Sequence, residues 1–186
     1  MKALVATAAA TLAVLAAAPA VAQQRPLSDP VVAAPNPEAL FTSKDPKLNR
    51  NKQATLHIMR ELLQCHQWNR AGEWLTDKYI QHNPVAKSGL AGVVYYFTQV
   101  AKQQPTATCT TLTSPVVAVQ AEGDYVTVST VRTLPIPGGA PGETYTTTWF
   151  DMYRFVNGKA DEHLDPMALG AGPGPSAAAK PATPAN

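Results

Sequence analysis

The sequence predicts an α+β domain in which helices pack on one face of an antiparallel sheet. Two observations point there. Apolar residues recur at helical spacing as far as Gln104; beyond Pro105 they alternate among Thr, Val and aromatic residues. Helix-forming segments therefore precede the strand-forming ones instead of interleaving with them, which is the order of an α+β fold.

Each element has its own signal. Residues 51–64 set Ala54, Ile58 and Leu62 at i, i+4 and i+8 with Met59 and Leu63 beside them, the apolar stripe of a first helix. A short second helix is expected over 69–75, carrying Trp74 and Leu75. Ser88 is the expected N-cap of a third helix over 88–104, with Leu90, Val93, Val94, Phe97, Val100 and Ala101 on its core face and Pro105 as its stop. Strands are expected at 106–113, 116–121, 125–133, 144–156 and 159–165. Glu122-Gly123-Asp124 and Asn157-Gly158 join two pairs of them as hairpins, and Asn-Gly is the strongest two-residue hairpin signal.

Composition bounds the rest. The chain has 186 residues, of which 45% are hydrophobic and 15% charged, with a formal net charge of +2. That suits one ordinary domain, and the scattered Lys and Arg leave no footprint for nucleic acid or anionic lipid. Met1 and Lys2 lead into an apolar, Ala-rich run that closes on Ala20-Val21-Ala22, so residues 1–22 are expected to be a cleaved signal peptide. The mature chain is then expected in the periplasm or outside the cell, without a membrane segment. Residues 23–44 carry four prolines and little periodicity, and are expected to form an extended leader outside the core. The domain is expected over 45–166. In 167–186, 14 of 20 residues are Ala, Gly or Pro, the composition of a disordered tail. Cys65 and Cys109, 44 apart, either pair in an oxidising compartment or remain two buried thiols.

Two segments stand out together. Tyr79-Ile80-Gln81-His82-Asn83-Pro84 enters the third helix, and residues 150–159, ending in Asn157-Gly158-Lys159, lead into Glu162-His163-Leu164-Asp165. In that order they resemble the SnoaL-like polyketide cyclase family of the nuclear transport factor 2-like superfamily, over about residues 47–165. Ala160 and Leu164 depart from the family pattern, which has a bulky apolar residue and a Trp there. The resemblance implies a cone of three N-terminal helices over a strongly curved, mostly antiparallel sheet, with a pocket between them. It also implies ring closure by intramolecular aldol condensation, without metal or cofactor, using a pocket Asp as acid/base.

The residues themselves offer Asp151, Glu162, His163 and Asp165 on one hairpin and His82 before the third helix. Carboxylates and imidazoles in a dry pocket supply both the base and the acid that enolate chemistry needs. With a two-residue turn at Asn157-Gly158, alternation puts Asp151, Tyr153, Phe155, Ala160, Glu162 and Leu164 on one face and Met152, Arg154, Asp161, His163 and Asp165 on the other. The first, more apolar set is the expected pocket wall; His163 and Asp165 reach the pocket only if a bulge shifts the register.

The expected catalytic residues are therefore Asp151 and His82, with His163 and Asp165 in reserve, and the expected substrate contacts are Trp149, Tyr153, Glu162 and Tyr79. Simpler roles stand beside these. Asp151 could pair with Arg132, His82 could fix its turn, and Trp149 and Tyr153 could serve the core or a dimer. No metal-ligand spacing and no Ser or Cys nucleophile motif occurs. Three functions fit: a cofactor-free enzyme for a small apolar carbonyl compound, a binding module for such a compound, or a homodimeric interaction module using the open sheet face.

Overall fold

The computed structural model describes residues 24–169; the expected signal peptide and the tail beyond 169 lie outside the described residues. Helix α1 begins at Pro46, five residues before its expected start, because the Asp45 side chain accepts from the Leu48 amide and Pro46 occupies the first turn. It runs as an α-helix over Pro46–His57 and continues as a π-helix over Ile58–Gln64. A 3₁₀ turn, Trp68–Arg70, leads into the four-residue α2, Ala71–Trp74. Helix α3, Leu90–Tyr95, also widens into a π-turn, Tyr96–Val100. Its N-cap is Gly89, whose φ of +85° favours glycine; Ser88 instead turns its hydroxyl to the Gln81 amide.

The sheet has five strands in the order β1-β5-β4-β3-β2, where β1 is Leu75–Gln81, β2 Val116–Glu122, β3 Tyr125–Pro135, β4 Thr144–Val156 and β5 Lys159–Leu164. All neighbours are antiparallel except β1 and β5. Strand β1 is absent from the sequence-based expectation, and the strand expected at 106–113 does not form. The threonine run there is strand-like in composition, but helix side chains take its backbone groups. Gln64 bonds the Thr111 carbonyl and the Thr113 amide, Gln67 bonds the Thr106 carbonyl, and a Cys65–Cys109 disulfide with Cα atoms 6.0 Å apart ties the loop to α1. The cross-link contributes about 2 to 5 kcal/mol on the usual scale.

The core lies between the inner sheet face and the helices. Val116, Val126, Val128, Tyr153, Phe155 and Ala160 meet Ala54, Ile58, Met59 and Leu62. Among the described residues no helix is long and apolar enough to cross a membrane.

The described part of the leader, 24–44, is not outside this core. Phe41 is fully buried within it. Ala34 donates to the Val116 carbonyl, Val31 to the Thr146 hydroxyl, and Lys52 holds the carbonyls of Leu40 and Val119 together. Prolines and missing periodicity hid a strap that docks by backbone hydrogen bonds and one aromatic anchor. A chain beginning at Pro46, or Phe41→Ala in the full chain, is therefore expected to lose about 3 to 5 kcal/mol, the cost of emptying a buried phenylalanine site. Chemical denaturation measures this; a loss within 0.5 kcal/mol, by the ~0.5 kcal/mol scale of surface changes, would return the strap to the surface.

Candidate functional site

Inner positions of β4 alternate, so Trp149, Asp151, Tyr153 and Phe155 all face the helices and are all buried. The β4–β5 hairpin starts as expected. Asn157 and Gly158 both have positive φ, Val156 pairs with Lys159 and Phe155 with Ala160. The register then shifts, and Arg154 pairs with Glu162 instead of Asp161. Asp161 is the extra residue of a β-bulge. From that point every side chain of β5 changes face: His163 turns inward opposite Tyr153, and Glu162 turns outward opposite Arg154.

A cavity of about 210 Å³ lies between this wall and the helices. Its larger part is apolar, built from Ile58, Met59, Leu62 and Leu63 on the π-helical half of α1 and from Tyr96 and Phe97 on the π-turn of α3. Trp68 stacks on Phe97 with ring centroids 3.9 Å apart. One end is polar, with Tyr79, Gln81, Asn83, Asp151, Tyr153, His163 and Asp165.

The polar end is a connected network. His163 Nε2 lies 3.1 Å from Asp151 Oδ1, and the Trp149 indole donates to the same oxygen at 3.3 Å. His163 Nδ1 meets Gln81 Oε1 at 2.8 Å, and the imidazole stacks on the Tyr153 ring at 4.8 Å. Asp165 accepts from the Asn83 amide through Oδ2 and from the Met167 backbone through Oδ1. Asp151 Oδ2 and the hydroxyls of Tyr79 and Tyr153 have no partner among the described residues, although each residue is more than nine-tenths buried. Burial, and then the negative charge of Asp151, hold both phenols well above the ordinary tyrosine value of 10.0. The site thus holds one carboxylate oxygen free to take a proton and two hydroxyls able to donate to a developing oxyanion. Asp151, His163 and Asp165 also form the one trio among the described residues whose ligand atoms, within 4.8 Å of one another, could surround a metal ion.

Two expected site residues lie elsewhere. Glu162 is on the outer face, where Arg154 and then His82 hold its carboxyl below the usual range. His82 is half-exposed and pairs with Glu162 there at 2.6 Å, so it does not flank the cavity with Asp151. The bulge removes Glu162, and His82, one residue past the end of β1 and its inward Gln81, turns outward. The remaining expected residues, Asp151, His163, Asp165, Trp149, Tyr153 and Tyr79, all line the cavity. Gln81 and Asn83 were missed. Tyr79 and Gln81 stand at i and i+2, a strand pattern that could have exposed both had β1 been recognised.

A family model described as a SnoaL-like domain matches residues 58–163, from the first cavity residue of the widened helix to the inward histidine. The chain belongs to the SnoaL-like family. The family is the one that the two motifs resemble, and helices over a five-stranded, mostly antiparallel sheet are the expected α+β arrangement. No curated protein matches this SnoaL-like chain in sequence. Solved structures to which the chain is similar include a candidate polyketide cyclase from Acidithiobacillus ferrooxidans, at 16% identity over 62% of this chain and 86% of that one, TM-score 0.44. An NTF2-like protein of unknown function from Burkholderia pseudomallei shares 14% identity over 64% and 91%, TM-score 0.43. An LEH-like epoxide hydrolase from M. tuberculosis shares 11% over 64% and 79%, TM-score 0.45.

The raised phenols carry a pH signature. A group whose folded pKa is raised keeps its proton in the native chain after the unfolded chain has lost it. Its stabilisation is complete below pH 10.0, the unfolded value, and is lost as pH rises through the native value. In an alkaline ultraviolet titration, two of the six tyrosines should stay silent until the fold is lost. Combined Tyr79→Phe and Tyr153→Phe should flatten the alkaline fall in stability; an unchanged fall would show that these hydroxyls reach bulk water.

Proposed function

We propose that this SnoaL-like protein is an exported acid/base enzyme for a small, largely apolar carbonyl compound, and that its own side chains carry out aldol-type or isomerising chemistry. One observation carries the reading: Asp151 Oδ2 stands unpartnered near the unpartnered hydroxyls of two buried tyrosines at the polar end of an apolar cavity. The carbonyl oxygen of the substrate accepts from Tyr79 and Tyr153. Asp151 Oδ2 takes the proton from the neighbouring carbon, and the charge left on the enolate oxygen is held by the two phenols, which burial keeps protonated. His163 and Trp149 fix the carboxylate through its other oxygen. The cavity lies below the ~300 to 1,000 Å³ of drug-sized sites, which favours a single-ring compound.

The test needs no knowledge of the natural substrate. A panel of small cyclic and aryl ketones is incubated with the protein in heavy water, and deuterium entering next to the carbonyl is followed by NMR. The native protein should accelerate exchange for at least one ketone. Asp151→Asn should slow it by about 10²-fold or more while line broadening shows the ketone still bound. Binding without exchange in the native protein would replace the enzyme reading with that of a carrier. No binding at all would overturn both.

Export rests on the Ala-rich start, its Ala-Val-Ala exit and a disulfide suited to an oxidising compartment. Intact-mass analysis of the periplasmic fraction should find a chain beginning at Gln23. A species that keeps Met1 in the membrane fraction would defeat this.

A further inference from the structure

We infer that Gln81 is a positioning residue that keeps Nδ1 of His163 protonated, and that this, not the neighbouring His82, is the chemical contribution of the Gln81-His82-Asn83 segment. Strand β1 runs parallel to β5 and pairs Gln81 directly with His163, while the His82 amide donates to the His163 carbonyl at 3.1 Å. The two side chains are therefore neighbours on the cavity face, and His82, the residue after Gln81, falls on the other face.

The argument turns on one oxygen. Gln81 Oε1 accepts from the Asn83 backbone N–H at 3.1 Å. That contact sets the orientation of the amide, because its NH₂ group in the same place would meet the N–H donor to donor. The atom facing His163 Nδ1 at 2.8 Å is thus a carbonyl oxygen, and Nδ1 must donate to it. On the other side of the ring, Nε2 faces Asp151 Oδ1, a second acceptor. A second proton therefore lies between Nε2 and the carboxylate. Both ring nitrogens are engaged with oxygen, so the imidazole can neither flip nor tilt, and Asp151 is held with Oδ2 toward the cavity.

Asn83 extends the device. Its side-chain carbonyl accepts from Val85 to close the turn, and its NH₂ group donates to Asp165 at 2.7 Å. One three-residue stretch thereby orients His163 through Gln81 and Asp165 through Asn83, while presenting His82 to the outer Glu162.

The test reads the imidazole directly. The chain has four histidines, and in protein labelled with ¹⁵N at histidine the His163 signals are assigned by their loss in His163→Phe. In the native protein Nδ1 should appear as a protonated nitrogen. Gln81→Met, similar in shape but without the acceptor, should convert Nδ1 to a bare, pyridine-type nitrogen. Gln81→Glu, which keeps an acceptor in place, should restore the protonated signal.

The inference rests on the acid/base reading only in its activity arm, where Gln81→Met should slow ketone exchange about tenfold to a hundredfold and Gln81→Glu should recover part of that loss. If no ketone exchanges at all, the acid/base reading fails, yet the nitrogen signals still decide the role of Gln81. An unprotonated Nδ1 in the native protein would overturn the inference, without recourse to any variant. So would nitrogen signals in a folded Gln81→Met that match those of the native chain.

Discussion

The site depends on a single extra residue. Between Phe155–Ala160 and Arg154–Glu162 the hairpin accommodates Asp161 without a partner, and that one insertion exchanges the two faces of β5. Without it the cavity would receive Glu162, and His163 would lie outside. The bulge is braced from the outer side. Arg154 bonds Asp161 at 2.8 Å as well as Glu162, and the Thr76 hydroxyl donates to Asp161 at 2.7 Å. These partly exposed ion pairs contribute little stability individually. Their importance is that they occupy the side chains that would otherwise compete for the inner face.

The cavity divides its labour between layers. The helices supply its apolar volume, and they do so where both α1 and α3 have widened into π-helical turns, with Cys65 and Ala101 bonding five residues back to Arg60 and Tyr96. Such turns accommodate an additional residue within a helix and recur at functional sites. The sheet supplies the chemistry, from β1, β4, β5 and the segments that follow β1 and β5. Size and reactivity are therefore set by different elements, and substitutions at Met59, Leu62 or Phe97 can change what fits without touching the proton-transfer groups.

Sequence periodicity was informative wherever structure is local. The hairpin turn at Asn157-Gly158, the extent of β4 and the apolar stripe of α1 follow from spacing alone, and Asp151, Tyr153 and Trp149 could be placed inward by alternation along one strand. The features that escaped are those fixed by distant partners. Strand β1 carries Asp77 and Lys78 among its residues and is completed as a strand by its distant partner β5. The threonine run at 106–113 has strand composition but finds its hydrogen bonds on helix side chains. The proline-rich strap has no period at all, yet Phe41 closes the core. The bulge at Asp161 belongs to the same class, since no composition marks the residue a ladder will skip.

The pairing of β1 with β5 sets an order of assembly. Gln81 and His163 are 82 residues apart, whereas the β2–β3 and β4–β5 hairpins join neighbours in the chain. Closing so long a loop is entropically late compared with zipping a hairpin. Tyr79 and Gln81 must therefore wait on an unpaired strand edge until the chain has been made through β5, and the polar end of the cavity is the last part of the molecule to exist. A nascent or clipped chain that stops before Lys159 can possess helices, strap, disulfide and most of the sheet, and still lack His163, Asp165 and the strand on which Tyr79 and Gln81 are aligned.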